Sequence, residues 1–270
     1  MARILITNNH LARMGGTETW VLTMARHLSK EHEVGVFTHV KGFVSDLLKD
    51  LIDDNPKDYD LALINHNTCV DVDAKFKIFT SHGTVPELER PPKSYKYYQI
   101  DYYVAVSENV SKRYGMPHII KNPIDADRFR PTSKIQDSPR RIVGITQAKL
   151  GVNYLPVDRL KDDMPERINH ADVVISMGRG VLEAMSCGRA VIVWDNRPYW
   201  GERGDGYLDD LSKLTGNVAG EYNRREIDWA TELAKYKPEH GKRNREYILK
   251  HHDVNKIAKE YLDIWKTNTK

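Results

Sequence analysis

Short aliphatic runs alternate with stretches of helical spacing along most of the chain. This alternation constrains the fold more than any other feature. Arg3 to Thr7 reads as a strand, and the loop Asn8 to Gly16 carries Gly15-Gly16 near its end. Trp20, Val21, Met24, Ala25 and Leu28 then recur at helical spacing within Thr17 to Ser29. Glu33 to Thr38 predicts a second strand and Phe43 to Leu51 a second helix. Further strands are expected at Leu61 to Asn65, Lys77 to Thr80 and Tyr102 to Val106. Ser107 is placed to cap a helix running towards Tyr114, and Ile119-Ile120 closes the set. Strands that alternate with helices imply a parallel sheet covered on both faces.

A second set follows a break at Asn122-Pro123-Ile124-Asp125 and a polar stretch from Thr132 to Pro139. Arg141 to Gly144, Asp172 to Ser176 and Ala190 to Asp195 read as strands, and Gly180 to Cys187 as a helix. Arg245 to Trp265 is expected to be helical, with an apolar stripe of Tyr247, Ile248, Ile257, Ala258, Tyr261, Leu262 and Trp265. The expected organisation is a first α/β unit over 1–133, a second over 134–248, and a helix over 249–270 that crosses back to the first. Open sheets of this kind bind ligands at the carboxyl ends of their strands. Two such units with those ends facing one cleft suit a reaction that joins two substrates.

Composition narrows the function classes. The 270 residues carry 41 basic and 38 acidic side chains, a net charge of +3, too weak an excess to argue for nucleic acid by itself. Arg140-Arg141 and Lys242-Arg243-Asn244-Arg245 are local basic clusters, read first as solvated surface. No apolar run reaches the roughly 18 residues that span a bilayer. Met1 to Ile6 reads as a strand rather than a secretory leader. Two cysteines far apart, Cys69 and Cys187, argue against a disulfide framework. The expectation is a cytoplasmic protein, with peripheral association at the inner membrane face left open. Oligomeric state is not readable.

Three segments carry candidate chemistry. Gly15-Gly16, between a strand and a helix, lets backbone amides approach a phosphate or an acceptor oxygen; a tight turn without ligand is the bland alternative. The three-glycine dinucleotide fingerprint is incomplete, and Thr38-His39 ends the second strand where an acid is required, which counts against a nicotinamide enzyme. Thr80-Ser81-His82-Gly83 puts a histidine at a strand end, where imidazole can bind a sugar hydroxyl or act as a base; a structural histidine is the equal alternative. From Ala171 to Asp195 a strand meets the turn Gly178-Arg179-Gly180 and then a helix with Glu183. Amides, helix dipole and the Arg179 guanidinium could together hold a diphosphate, and Glu183 could accept both hydroxyls of a ribose. The alternatives are a solvated acid for Glu183 and a carboxylate partner for Arg179. No His, Cys, Asp and Glu cluster has metal-site spacing, and Asp71-Val72-Asp73 falls in a connection, so no metal and no cofactor are expected.

Taken in order, these segments resemble the retaining glycosyltransferases of the GT-B fold, family four of the usual classification. GGTE in the loop resembles the family's GGxE motif, and FTSHG at Phe79 to Gly83 its histidine-glycine. YYVAVSENV at Tyr102 to Val110 and IIKNPIDADRFRP at Ile119 to Pro131 resemble two further signatures. HADVVIS and LEAMSCGRAVIV resemble the nucleotide-site strand, helix and strand, and the tail resembles the final crossing helix. The resemblance implies two Rossmann-like domains, an acceptor domain first and a reduced nucleotide-sugar domain second. The co-substrate would be a nucleoside-diphosphate sugar and the acceptor a glycan or lipid-linked glycan. It implies that Glu183 holds the ribose, that His82 contacts the transferred sugar, and that Gly15 and Gly16 meet the donor phosphate. Transfer would proceed with retention through an oxocarbenium-like transition state, the leaving diphosphate being stabilised by amides and cations in place of a metal.

The chain departs from that pattern in three places. Ile175 stands where the motif's earlier glutamate belongs, and the turn is GRG in place of EGFG, as in a subgroup with arginine in the turn. Ile145 stands at the position of a diphosphate-gripping arginine, with Lys149 one place from the matching lysine. The segment from Gly151 to His170 is short. Arg179 and Lys149 are the expected substitutes at the diphosphate. Two other readings follow. In one, the acceptor is a modified base in DNA, with Lys93, Tyr95, Lys96, Tyr97 and Tyr98 stacking on bases and touching phosphates. In the other, the chain is a non-catalytic relic that keeps a glycan or nucleotide site.

Overall fold

A computed structural model describes residues 1–92, 100–145, 155–156, 160–195, 203–214, 218 and 224–269. The chain forms two compact units, one of Met1–Pro123 with Val254–Lys270 and one of Ile124–Asp253.

The first unit is built on six parallel strands: β1 (Arg3–His10), β2 (Glu33–Val40), β3 (Tyr59–Ile64), β4 (Ala74–Ser81), β5 (Tyr102–Ala105) and β6 (His118–Ile119). Their order is β2-β1-β3-β4-β5-β6. Ile4-Leu5-Ile6 and Leu61 to Ile64 read as continuous apolar runs because both faces of the sheet are covered. Alternation then divides them. Ile4, Ile6, Leu61 and Leu63 enter one core with α1 (Gly16–Leu28), and Leu5, Ala62, Ile64 and Phe79 enter another on the opposite face. The helical spacing read from the sequence puts Trp20, Val21, Met24, Ala25 and Leu28 of α1 into the first core. Ser107 caps α3 (Glu108–Tyr114), its hydroxyl accepting from the Val110 amide.

The expected helix from Phe43 to Leu51 is instead the four-residue α2 (Phe43–Asp46) and a separate 3-10 turn, Lys49–Leu51. Two tertiary ties break it. The Leu11 carbonyl accepts from the Val44 and Ser45 amides, and the Asp53 amide donates to Val36, drawing the chain back along β2.

In the second unit β7 (Ile142–Gly144), β8 (Leu155–Pro156), β9 (Val173–Ser176), β10 (Ala190–Asp195) and β11 (Arg203–Tyr207) form a sheet of order β11-β10-β9-β7-β8. β11 runs antiparallel to β10, so this sheet is mixed where the sequence predicted a parallel one. Around it lie α4 (Met164–His170), α5 (Arg179–Ser186), α6 (Trp229–Ala234) and α7 (Glu239–His251). Val181, Leu182, Ala184 and Met185 of α5 join Val174, Val191 and Val193 of the strands in one core. The parallel crossover β9–α5–β10 is the segment that carries the candidate donor residues.

The boundaries lie at Pro123/Ile124 and Asp253/Val254, ahead of 133 and beyond 248. Residues 124–131 belong with the second unit because Ile124 and Phe129 are buried in its core and Arg245 donates to the Ala126 and Phe129 carbonyls. The tail is two helices. α7 ends at His251, and α8 (Val254–Asn268) follows after His252-Asp253. The Ile124 amide donates to the His252 carbonyl at 2.7 Å, and Ile124 bridges Asp253, so the break is held by hydrogen bonds. The single apolar stripe of the sequence is thereby shared out: Ile248 enters the core of the second unit, while Ile257, Ala258 and Tyr261 enter that of the first.

Candidate functional site

At the carboxyl end of β9 the chain turns through Gly178 and enters α5 at Arg179. Gly178 has φ 56° and ψ −132°, a conformation open to glycine and strained for any residue with a Cβ. Its amide donates to the Val218 carbonyl at 2.6 Å, so that amide is already engaged. Gly180 lies against Ser176 and Ile145. The apolar Ile145 side chain therefore stands beside the helix start, where the family pattern has a cation.

Arg179 and Glu183 are one helical turn apart and pair. The Arg179 Nε donates to the Glu183 Oε1 at 3.0 Å, with the two side chains 5% and 7% exposed. Glu183 is thus a buried acid rather than a solvated one, and one of its oxygens is already engaged. Burial pushes its pKa up, and Arg179 and Arg128 oppose that rise. Burial pushes Arg179 down, against the pull of Glu183. Arg128, from the NPIDADRFRP segment, pairs with Asp162 and stacks over Phe129. With Asp125 it completes a charged group around the pair that sequence reasoning missed. Its signal was present, since Arg128 sits inside a signature already singled out. Lys149 lies outside the described residues, as do Lys93, Tyr95, Lys96, Tyr97 and Tyr98.

In the first unit the carboxyl ends of β1, β3 and β4 carry a separate polar group. His82, just past β4, is 4% exposed; its Nε2 is 2.8 Å from Asn65 Oδ1, and its ring meets Trp20 edge-on at 5.6 Å. Gly15 precedes α1 as its N-cap, and Gly16 is the first helical residue. A Cβ on Gly15 would collide with the Glu18 carboxylate, whereas one on Gly16 would meet open space. Glu18 Oε1 bonds His10 Nδ1 at 2.6 Å, and Thr17 Oγ1 donates to Glu18 Oε2 at 3.1 Å. Hydrogen bonding to Glu18 raises the pKa of His10 above the ordinary histidine value. His66, at a ring distance of 5.3 Å from His10, accepts from the Asn9 amide on Nδ1 and is held neutral, its pKa pushed down to about 4 by burial. Glu18 lies in the GGTE motif but was given no role of its own, and His10, Asn65 and His66 escaped the sequence reading. His10 ends β1 and His66 follows β3, each without a neighbouring glycine, and only tertiary structure brings His10 to Glu18.

The structure thus gathers Gly178, Arg179, Gly180 and Glu183 in the second unit, and Gly15, Gly16 and His82 at the strand ends of the first. Of the basic clusters, Arg140 and Lys242 are exposed, as a solvated surface requires, while the other arginines are tied down. Arg141 pairs with the buried Asp172, Arg243 donates to the Leu208 carbonyl, and Arg245 donates to three main-chain carbonyls. Cys69 and Cys187 are buried thiols. Among the described residues no group of His, Cys, Asp and Glu is arranged to hold a metal ion, and no helix is long and apolar enough to cross a membrane.

No family model and no curated protein matches the chain. Solved structures do. HepE of Anabaena, in complex with UDP and glucose, superposes with a TM-score of 0.62 at 14% identity over 99% of this chain and 100% of its own. A glycosyltransferase from Rickettsia africae gives 0.58 at 14% identity over 98% of each chain. An α-glucosyltransferase in complex with UDP and a 13-mer DNA containing an HMU base gives 0.56 at 14% identity over 98% and 99%. These likenesses run end to end, and what they show is the fold: two α/β units of the GT-B kind, the second with a mixed sheet.

Proposed function

We propose that the chain is a glycosyltransferase of the family-four kind, moving a sugar from a nucleoside-diphosphate donor to a hydroxyl of a glycan or lipid-linked glycan, with retention and without a metal. The buried Arg179–Glu183 pair at the carboxyl end of β9 carries this reading. A charged pair shut into the start of a crossover helix is costly to keep for packing alone, because hydrophobic residues of like volume would be as stable. In this reading Glu183 accepts from a ribose hydroxyl. The Arg179 guanidinium, held at its Nε by Glu183, brings positive charge to the diphosphate, whose own charge grows as the glycosidic bond breaks. His82 meets the transferred sugar and Gly15-Gly16 the donor phosphate, as the motif resemblance implies. The neighbours solved with UDP and with UDP-glucose make the uridine nucleotides the first donors to test.

The test is calorimetry and thermal shift with UDP and UDP-glucose, followed by donor hydrolysis and transfer. A ligand at about 100 times its Kd stabilises the fold by roughly 2.7 kcal/mol. A panel of nucleoside-diphosphate sugars that neither binds nor turns over sinks the proposal. Donor binding without turnover, unchanged by separate substitution of His82, favours the non-catalytic relic. The reading with a modified DNA base as acceptor draws on the α-glucosyltransferase solved with DNA. It expects affinity for duplex DNA that falls steeply with salt, and a flat salt response excludes it.

A further inference from the structure

We propose that Asn65 is the positioning residue of His82: its side-chain oxygen holds the imidazole in one orientation and as the tautomer with the proton on Nε2. This rests on the transferase reading above and adds to it a residue that neither the motifs nor the comparisons assign. Three observations carry it. The first is the bond itself. His82 Nε2 lies 2.8 Å from Asn65 Oδ1, with both residues buried. An amide oxygen only accepts, so the shared proton belongs to the imidazole.

The second is the mounting. Asn65 continues β3, its main-chain amide donating to the Thr7 carbonyl of β1, and His82 continues the neighbouring β4. Leu61 and Leu63 precede Asn65 on the face towards α1, and Ile78 and Thr80 precede His82 on that same face. Trp20 of α1 meets the imidazole edge-on at 5.6 Å and is itself backed by Tyr261 at 5.7 Å. Turning the ring therefore means breaking the Asn65 bond and moving an indole packed in the core.

The third is a cost. Asn65 Nδ2 is buried with no hydrogen-bond partner among the described residues. A buried donor without an acceptor is destabilising, and a leucine at the end of β3 would leave none. The amide is kept for what its oxygen does to His82. With the proton on Nε2, Nδ1 is the acceptor nitrogen of the neutral ring, which suits a sugar hydroxyl that donates. His82 so held binds and orients the transferred sugar and moves no proton.

The experiment uses the full chain with isotope-labelled histidine. Long-range proton–nitrogen spectra at pH 8 read the tautomer of His82, assigned by the signal lost in His82→Gln. The wild type should show the proton on Nε2. Asn65→Leu keeps the volume, removes both the oxygen and the unpaired donor, and should show His82 as a mixture of tautomers. Its kcat/KM for hydrolysis of UDP-glucose should fall about tenfold, the worth of one oriented hydrogen bond, with UDP affinity within about twofold of wild type. A residue that served packing alone would leave the tautomer unmoved. A wild-type proton on Nδ1, as the amide turned end for end would give, overturns the proposal. So does an Asn65→Leu variant that keeps the wild-type tautomer, or keeps kcat/KM within about twofold. Should that variant not fold, the wild-type spectrum decides. A wild type that neither binds nor turns over any nucleoside-diphosphate sugar overturns the transferase reading, whichever tautomer the spectrum shows.

Discussion

Removing the cation from the buried pair of the second unit should expose how Glu183 is kept there. Arg179→Met keeps the volume and apolar stem but leaves the Glu183 carboxyl, 7% exposed, without its partner at 3.0 Å. At an effective dielectric near 20 the lost attraction is about 5 kcal/mol. Arg128, paired with Asp162, still opposes a rise of the Glu183 pKa but makes no hydrogen bond to the carboxyl among the described residues. Glu183 then escapes by taking a proton. Burial without its cation drives the pKa of this glutamate further above its unfolded value. Above the unfolded carboxylate range, folding must therefore hold a proton that the unfolded state releases, at about 1.4 kcal/mol for each pH unit. The sign follows from the raised folded pKa. The variant's deficit is smallest below the unfolded value and grows by about 1.4 kcal/mol per pH unit as pH rises towards the folded one. Urea unfolding of wild type and variant at pH 5, 6 and 7 measures it. Arg179→Met/Glu183→Leu, with no buried charge left, should recover to within about 1 kcal/mol of wild type. It should still fail to bind UDP-glucose. A single-variant deficit below about 1 kcal/mol at pH 7, or one that does not change between pH 5 and pH 7, refutes the reasoning.

Three further outcomes test the framework around the site. Tyr261→Phe removes the hydroxyl that meets Thr80 Oγ1 at 3.1 Å inside the first core, and should cost about 1 kcal/mol in urea unfolding. Gly178→Ala forces a Cβ into a φ of 56° and should cost about 1–3 kcal/mol by the same assay, with loss of donor affinity if the turn meets the diphosphate. Asp172 is fully buried. Despite that burial, the Arg141 guanidinium and the Gln136 and Arg141 amides hold its pKa below the ordinary carboxylate value. Its contribution is present above the unfolded value near 4 and is lost as pH falls through the lower folded one. Asp172→Asn should thus flatten the acid limb of the stability–pH curve, read by thermal melting between pH 2 and 6.

Much of the fold was legible in the sequence because two periodicities govern it. Ile4-Leu5-Ile6, Leu61 to Ile64 and Val173 to Ser176 are doubly covered strands, and the spacing from Trp20 to Leu28 is a helix face, so local pattern and tertiary burial agree. The breaks were not legible. Nothing local ends the helix at Asp46 or divides the tail at His252. Both stops come from hydrogen bonds to residues far along the chain, Leu11 and Ile124. The antiparallel β11 holds two glycines and an aspartate, and carries little strand signal of its own. At the site, the turn with Arg179 and the helix with Glu183 could be read from the sequence. Their burial could not, because it depends on the sheet beneath. The contact of His10 with Glu18 was not legible, since seven residues that include a glycine turn lie between them.

The route of α8 has a consequence for biosynthesis. Trp20 of α1 packs edge-on against Tyr261 at 5.7 Å, and Ile257 and Ala258 lie in the same cluster. All three arrive only after the whole stretch 124–253 has been translated. At about 5–20 residues per second, the nascent first sheet waits on the order of ten seconds or more with that apolar face uncovered. A holdase that binds exposed aliphatic surface, or a synthetic peptide of residues 254–268 added in trans to a stalled chain, would occupy the gap that α8 later closes.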